Sequence, residues 1–344
     1  MTLKEIAKEV GVSISTVSRV INRKGTNAAS KEVQDRIWEV VRETGYVPNA
    51  AAQSLKRSDQ PMSLDTAPHV IACLFARSPA AINDPFFTRL ARSVEESAYQ
   101  KNYVVKFLVT ALDLDHPGTM QIIMDNHVEG IVVLGRCEKK LLATIKRELK
   151  NVVCVSLNAT EDRVDQIICD GLDIGRAVVD YLIDLGHQNI GYIGEIHNEI
   201  RYNGYRSALT ARNLPIQANA VVDVILSSDG GYRGAKQLFR QAPEVTAIFC
   251  ANDATAVGAI HALQEEGVKI PGDISVISVD NIEMAQYVSP PLTTVQIPLE
   301  EMGHMAFSNL ADRITGGHRI PIRVSVPFSL VERESCAKPN RRKK

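Results

Sequence analysis

The chain has 344 residues, of which 45% are hydrophobic and 23% are charged, a composition typical of a soluble globular protein with two or three domains. No uninterrupted apolar run approaches about 18 residues and the N-terminus reads as a capped helix, so neither a membrane span nor a signal peptide is predicted, and a cytoplasmic location is expected. The formal net charge of −1 excludes a protein that is basic overall. Residues 1–58, however, carry ten Lys/Arg against six Asp/Glu, a local charge of +4 that can attract nucleic-acid phosphates.

Two short amphipathic helices with a glycine between them are predicted at the start of the chain. Thr2 and Glu5 form a capping box, and the apolar residues of the first helix recur at i, i+3, i+4 and i+7. Gly11 can end this helix in a left-handed turn, and Ser13 can cap the next one. The apolar face of that second helix consists of Val17, Val20 and Ile21, and the residues off this face are Ile14, Ser15, Ser18, Arg19 and Asn22. The pattern favours a helix-turn-helix, although an ordinary two-helix corner has the same periodicity.

A third helix and a short alanine-rich helix follow. Ser30 can cap the third helix, and Gly45 can end it. The short helix, at about 49–57, has too few residues to be stable alone in water, which is typical of a hinge that folds on binding. Residues 59–68 are a polar linker that contains two prolines.

Residues 2–57 resemble the DNA-binding headpiece of the LacI/GalR family of bacterial transcription regulators. The matching residues are Val12-Ser13, Ser15 to Asn22, Gly45-Tyr46 and Pro48 to Ala52. The resemblance implies double-stranded operator DNA as the partner and a helix-turn-helix domain over residues 1–58. It also implies a set of DNA-contacting residues, namely Ile14, Ser15, Thr16, Arg19, Asn22, Tyr46, Asn49, Ala52, Gln53 and Leu55.

These residues have different expected roles. A guanidinium such as that of Arg19 can pair with a guanine edge, while Ile14 and Ser15 occupy the positions that select the operator. Phosphate contacts are expected from Thr16, Asn22, Tyr46 and Asn49, although Thr16 can also be plain helix surface. In the family the hinge helix wedges a leucine between base steps of the minor groove, here Leu55. Relatives commonly carry arginine where this chain has Gln53.

Short apolar runs alternate with helical patterns from His69 onward. The runs are 69–75, 103–109, 130–134, 152–157, 166–169, 189–193, 221–226, 247–250 and 275–279. Nearly continuous apolar runs separated by helices predict parallel strands that are covered on both faces. There are more strands than one sheet needs, so the sequence predicts an α/β, doubly wound body with two lobes.

This body resembles the periplasmic-sugar-binding-protein-like core (type I) of the same family. The matching residues include Asp84 to Phe87, Leu185 to His187, Arg201 to Tyr205, Asn252-Asp253, Asp280 and Pro290 to Thr294. The resemblance implies an effector-binding and dimerisation domain over 69–334. Its N-lobe is expected at about 69–169 and 296–325, its C-lobe at about 170–292 and 326–334, and residues 335–344 are expected to be a basic tail.

A small polar ligand is expected in the cleft between the lobes. By resemblance its polar contacts are Asp84, Asn158, Arg201, Asn252 and Asp280, and its ring platform is Phe86 or Phe87. Each polar residue lies at or just beyond a strand end, where doubly wound sheets bind ligands. Taken singly, Asp84 can merely begin a helix and Phe87 can belong to the core.

Motifs of catalysis and of cofactor binding are absent from the sequence. It has no G-x-G-x-x-G, phosphate-loop, H-E-x-x-H or G-x-S-x-G pattern, so no enzyme, cofactor or metal site is predicted. The expectation is a ligand-responsive repressor of carbohydrate-utilisation genes that binds a pseudo-palindromic operator as a homodimer. The alternatives are a nucleobase effector, a protein co-regulator, or a solute-binding protein, which would need a signal segment and no headpiece.

Overall fold

The computed structural model describes residues 3–21, 29–44, 68–76 and 84–340. The chain divides into two compact units, Met1–Ala67 and Pro68–Lys344. Some of the predicted DNA contacts lie outside the described residues, and so does the predicted hinge helix at 49–57. These contacts are Asn22, Tyr46, Asn49, Ala52, Gln53 and Leu55.

The first unit contains three helices, α1 (Leu3–Val10), α2 (Ile14–Ile21) and α3 (Lys31–Thr44). Gly11 has a φ of +74°, the left-handed conformation that lets the chain turn between α1 and α2. The hydroxyl oxygen of Ser13 accepts a hydrogen bond from the Thr16 N–H at 3.1 Å and so caps α2. The helices bury a common core of Ile6, Ala7, Val17, Val20, Ile37 and Val40. The predicted helix-turn-helix is confirmed.

The second unit contains two six-stranded sheets within its described residues. Apart from one antiparallel edge strand, the strands are parallel, and five of them (β3, β5, β6, β8 and β9) are fully buried. The first sheet has the order β11-β5-β4-β3-β1-β2 and consists of β1 (His69–Phe75), β2 (Tyr103–Thr110), β3 (Gly130–Leu134), β4 (Val152–Ser156), β5 (Asp165–Ile168) and β11 (Arg323–Ser325). The second sheet has the order β12-β10-β9-β8-β6-β7 and consists of β6 (Ile190–Gly194), β7 (Val221–Asp223), β8 (Ala247–Cys250), β9 (Ser275–Asp280), β10 (Thr293–Gln296) and β12 (Ser329–Val331).

Helices cover both sheets, which confirms the predicted doubly wound α/β fold. The first sheet and its helices form the first lobe, with α4 (Pro85–Tyr99), α5 (Ala111–Asp115), α6 (Pro117–Asp125), α7 (Lys139–Glu148) and α12 (Leu299–Ile314). The second lobe has α8 (Gly171–Asp184), α9 (Ile200–Ala211), α10 (Ser228–Gln241) and α11 (Asp253–Glu265). In the described part of the chain, no helix is long and apolar enough to cross a membrane.

The chain passes from one sheet to the other after β5, β10 and β11. The second lobe therefore includes Thr293–Gln296, four residues beyond the predicted limit at 292. This strand was missed because its four residues include two threonines and a glutamine rather than a continuous apolar run.

The predicted basic tail also begins too early. Ser335 is fully buried, its hydroxyl oxygen accepts the Thr293 N–H at 2.8 Å, and its carbonyl oxygen accepts the Val276 N–H at 2.9 Å. The Ala337 carbonyl oxygen lies 2.9 Å from Nε2 of His187. Residues 335–340 thus pack on the second lobe through hydrogen bonds, most of which pair a backbone group with a side chain and which charge composition does not reveal.

A buried carboxylate ties the beginning of β5 to the segment that leads from α12 to β11. Asp165 has no exposed surface and accepts two hydrogen bonds from Arg313, each at 2.8 Å. It also lies 2.7 Å from Nε2 of His318 and accepts the Ile322 N–H at 2.8 Å. Asp165 therefore joins parts of the first lobe that are about 150 residues apart in the sequence.

Candidate functional site

The exposed face of α2 carries the predicted DNA contacts that lie within the described residues. Ile14, Ser15 and Arg19 are exposed on the side of the helix that faces away from the buried Val17 and Val20. Thr16 is half-buried, and its hydroxyl lies 2.8 Å from the capping hydroxyl of Ser13. The helix therefore exposes the guanidinium of Arg19, the hydroxyl of Ser15 and the apolar side chain of Ile14 to solvent. Such a combination can contact base edges in a major groove.

A cavity in the second unit lies between the two lobes and has about 560 Å³ of space free of protein atoms, part of which is open solvent at its mouth. All seven residues predicted to bind a ligand line it, namely Asp84, Phe86, Phe87, Asn158, Arg201, Asn252 and Asp280. They come together because the carboxyl ends of the parallel strands in both lobes point toward the same cleft.

The cavity has further lining residues that sequence reasoning did not identify: Leu90, Gly135, Arg136, Val155, Ser156, Leu157, Glu199 and Met302. The sequence contained a feature that could have identified two of them. Arg136 lies two residues after the carboxyl end of β3. Glu199 lies two residues before Arg201 and carries the opposite charge. The others are mostly apolar or small and are indistinguishable in sequence from ordinary core residues.

The apolar wall of the cavity belongs to the first lobe. Phe86 and Phe87 are nearly buried and meet edge to face, with ring centroids 5.1 Å apart and an interplanar angle of 82°. Both also pack in the core of the lobe, so the two roles considered for Phe87 are compatible. Asp84 likewise lines the cavity and caps α4, since its carboxylate accepts the Phe86 N–H at 3.0 Å.

The polar wall is centred on a buried ion pair of the second lobe. Arg201 donates from Nε to Oε1 of Glu199 at 2.8 Å and from Nη2 to Oε2 at 3.1 Å, while Nη1 donates to the Ala251 carbonyl oxygen at 2.7 Å. Arg201 and Glu199 are only 5% and 3% exposed. Burial would lower the pKa of Arg201, but the Glu199 carboxylate outweighs it and raises this pKa above its ordinary value. The guanidinium therefore stays charged, in a fixed orientation.

Close helix packing fixes that orientation. A Cβ on Gly175 of α8 would lie 2.3 Å from the Arg201 carbonyl oxygen, and one on Gly204 of α9 would lie 2.4 Å from the Leu172 carbonyl oxygen. These distances are shorter than any van der Waals contact, so only glycine allows α8 and α9 to approach this closely. The two glycines thus set the position from which Arg201 reaches the cavity.

Two further polar residues follow strand ends of the second lobe. Asn252 comes after β8, and its side-chain oxygen accepts from the Thr255 N–H at 3.0 Å and from the Thr255 hydroxyl at 2.6 Å, which caps α11. Asp280 ends β9 with a φ of +124°, a conformation that is costly for any residue other than glycine. Such strain at a cavity wall is typical of residues whose position serves binding.

Comparison with known proteins assigns the family. Residues 2–49 match the profile of bacterial regulatory proteins of the lacI family, and residues 179–336 match the periplasmic binding protein-like domain. The chain is 33% identical to the HTH-type transcriptional repressor PurR of Yersinia pestis (strain Pestoides F), over 98% of this chain and 97% of that protein.

Solved structures agree with this assignment. The complex of the transcriptional regulator CelR with cellobiose matches with a TM-score of 0.72 and 26% identity, over 97% of this chain and 99% of that one. A LacI family transcriptional regulator from Enterococcus faecium with bound ribose matches with a TM-score of 0.69 and 26% identity, over 78% of this chain and 99% of that one. The chain belongs to the lacI family of bacterial regulatory proteins and is a DNA-binding transcriptional regulator, not an enzyme.

Proposed function

We propose that the chain is a cytoplasmic, homodimeric repressor of carbohydrate-utilisation genes, which binds a pseudo-palindromic operator and responds to a small sugar. The observation that carries this proposal is the composition of the cleft. Carboxylates, amides and guanidinium groups bind sugar hydroxyls, while an apolar wall such as that of Phe86 and Phe87 covers the ring face. The cellobiose and ribose complexes of the two structural relatives support a sugar as the effector, and the name of the PurR relative supports repression.

The homodimer follows from the geometry of DNA reading. An eight-residue helix such as α2 reads few base pairs, so specific binding requires two copies on two half-sites. The first lobe offers a surface for pairing at its edge strand β2. Val104 and Leu108 are exposed there, and Leu108 shares a shallow groove with the exposed Tyr99 of α4. The exposed Lys106 lies between them on the strand, and exposed apolar side chains with polar neighbours are typical of a protein interface.

Effector and operator act on the same equilibrium. A ligand that bridges the lobes favours one angle between them, and that angle sets the spacing of the two chain segments that lead to the headpieces. The coupling must be reciprocal, so an effector that weakens operator binding is itself bound less tightly by the DNA complex. Release of the operator by the effector would be induction, and tighter operator binding would be corepression.

Arg19→Ala is expected to abolish the preference for operator over unrelated DNA. Loss of a bidentate guanine contact costs about 1–3 kcal/mol per half-site. The operator is first selected from a random double-stranded library with the wild-type protein, and both proteins are then compared by gel shift. Arg36→Ala, an exposed arginine of α3, removes the same charge and should weaken binding to all sequences alike. Unchanged operator preference in Arg19→Ala would remove Arg19 from base recognition.

The effector class is tested by thermal unfolding in the presence of mono- and disaccharides and of nucleobases. A ligand at about 100 times its Kd stabilises the protein by roughly 2.7 kcal/mol, a shift of several degrees. Trp38, the one tryptophan, lies on α3 of the first unit, so intrinsic fluorescence is a poor probe of the cleft. Stabilisation by a saccharide supports the proposal. Stabilisation by a nucleobase alone, or by no compound in the panel, contradicts the carbohydrate assignment.

A further inference from the structure

Both arginines that line the cleft are paired with carboxylates of the protein. Arg201 forms the two-pronged contact with Glu199 described above. The Arg136 Nη2 atom donates to Oε2 of Glu195 at 2.9 Å, and its Nη1 atom lies 3.8 Å from Oε2 of Glu199. The positive charges of the cleft are therefore engaged before a ligand enters.

The contact between Arg136 and Glu195 joins the two lobes. Arg136 follows β3 of the first lobe, whereas Glu195 directly follows β6 of the second lobe. Arg136 also donates from Nη1 to the Asn198 carbonyl oxygen, which the Asn158 amide reaches at 3.3 Å from the side of the first lobe. The side chains of Arg136 and Glu195 are 25% and 24% exposed, so this interlobe ion pair is shielded from solvent on most of its surface.

The charge balance of the cleft is negative. Its lining residues include three carboxylates (Asp84, Glu199 and Asp280) and two guanidinium groups, a formal charge of −1, and Glu195 beside them makes it −2. An anionic ligand would meet this excess negative charge. A two-pronged contact with either arginine would require it to displace a carboxylate, Glu195 (24% exposed) or Glu199 (3% exposed), from its closest counter-charge, which is costly. Sugar hydroxyls, in contrast, can donate to carboxylates without disturbing either pair.

We infer that the cleft selects an uncharged, polyhydroxylated effector over its phosphorylated counterpart, and that the interlobe ion pair of Arg136 and Glu195 sets this choice. The inference rests on the proposed function in one respect, namely that the effector binds in this cleft. It adds the charge class of the effector and assigns a specificity-determining role to two residues, one from each lobe.

The test compares the wild-type chain with Glu195→Gln, which keeps the shape of the side chain but removes the carboxylate nearest to Arg136 and leaves only Glu199, 3.8 Å away. Asp229→Asn is the matched control, because it removes one carboxylate from an exposed ion pair with Arg233 at the start of α10, outside the cavity lining. Thermal unfolding is followed at constant ionic strength with cellobiose, with glucose and glucose 6-phosphate, with ribose and ribose 5-phosphate, and with inorganic phosphate.

The wild-type chain and Asp229→Asn should be stabilised by an uncharged sugar, and at tenfold higher concentration they should show no shift with the phosphorylated sugars or with inorganic phosphate. Glu195→Gln should bind the phosphate-bearing probes about tenfold more tightly than the wild type does. Stronger binding of a phosphorylated sugar by the wild type, or no gain for phosphate in Glu195→Gln, would overturn the inference. If no sugar of either kind shifts the wild type, the carbohydrate assignment fails, but the phosphate comparison still decides the role of the ion pair.

Discussion

Arg201→Ala is expected to abolish the response to the effector and to destabilise the second unit by about 3–5 kcal/mol. The loss is large because the variant removes the counter-charge that the Glu199 carboxylate, only 3% exposed, holds at 2.8 Å and leaves it with the more distant Arg136, 3.8 Å away. It also removes the Arg201 donor of the Ala251 carbonyl oxygen. Urea unfolding measures the change in stability. The sugar-dependent thermal shift measures the effector response.

Two further variants separate the ligand contact from the effect on stability. The double variant Arg201→Met/Glu199→Gln leaves neither charge buried. Its stability should therefore be closer to that of the wild type than the stability of Arg201→Ala is, while the effector response stays absent. Arg201→Lys keeps the positive charge but cannot make the bidentate contact of a guanidinium. Its effector response should therefore be weaker than that of the wild type but stronger than that of Arg201→Ala. Operator binding without effector should persist, since α1 to α3 form a separate core. A normal dose response in Arg201→Ala would exclude this residue from the effector site.

Asp165→Asn is expected to destabilise the second unit by a similar amount, about 3–5 kcal/mol. The change removes the charge that holds Arg313 through two hydrogen bonds of 2.8 Å and places an amide where the Arg313 and Ile322 donors need an acceptor. Urea unfolding provides the measurement. Asp162→Asn is the matched control, because Asp162 is 27% exposed and lies 3.4 Å from Lys146, and its loss should cost no more than about 1 kcal/mol. Equal effects of the two substitutions would contradict the prediction.

The cluster formed by Asp165, Arg313 and His318 also predicts how the stability of the protein depends on pH. Burial would raise the pKa of Asp165, but hydrogen bonds from Arg313, Ile322 and His318 outweigh it and hold this pKa below the ordinary 3.8. Contacts with Asp312 and then Asp165 raise the pKa of His318 above 6.5. The Asp165 contribution is therefore present above pH 3.8 and is lost as the pH falls through its folded pKa. The His318 contribution is present below pH 6.5 and is lost as the pH rises through its folded pKa.

The wild type should accordingly be most stable between about pH 4 and 6.5, within the limits set by these two groups. Asp165→Asn should lose the Asp165 part of the acid-side dependence, while Asp113 and Glu265, whose pKa values hydrogen bonds also lower, keep their parts. It should show a weaker dependence on the alkaline side, because His318 keeps only its contact with Asp312. Melting temperatures across this range provide the measurement. A variant whose profile parallels that of the wild type would show that the cluster does not control the pH response.

The sequence by itself determined the first three helices and nine of the twelve strands of the described residues, in their order. The spacing of Ile6, Val17 and Val20 specified the packed faces of α1 and α2, because a helix brings residues three and four apart to one side. Continuous apolar runs specified the buried parallel strands, since such strands are covered on both faces. The seven ligand contacts were implied by the family resemblance, and they converge on one cavity because each follows a strand end or begins the helix after it.

Only the tertiary structure decided which charged groups meet and where the short polar strands pair. Arg136 and Glu195 are 59 residues apart and lie in different lobes, and Asp165 and Arg313 are 148 residues apart. These partners depend on the strand order and on three crossings between the sheets, which local periodicity does not encode. The strands β10, β11 and β12 are held by backbone hydrogen bonds to neighbouring strands, and residues 335–340 are held mostly by bonds between backbone and side-chain groups. Neither kind of bond requires a repeating apolar pattern.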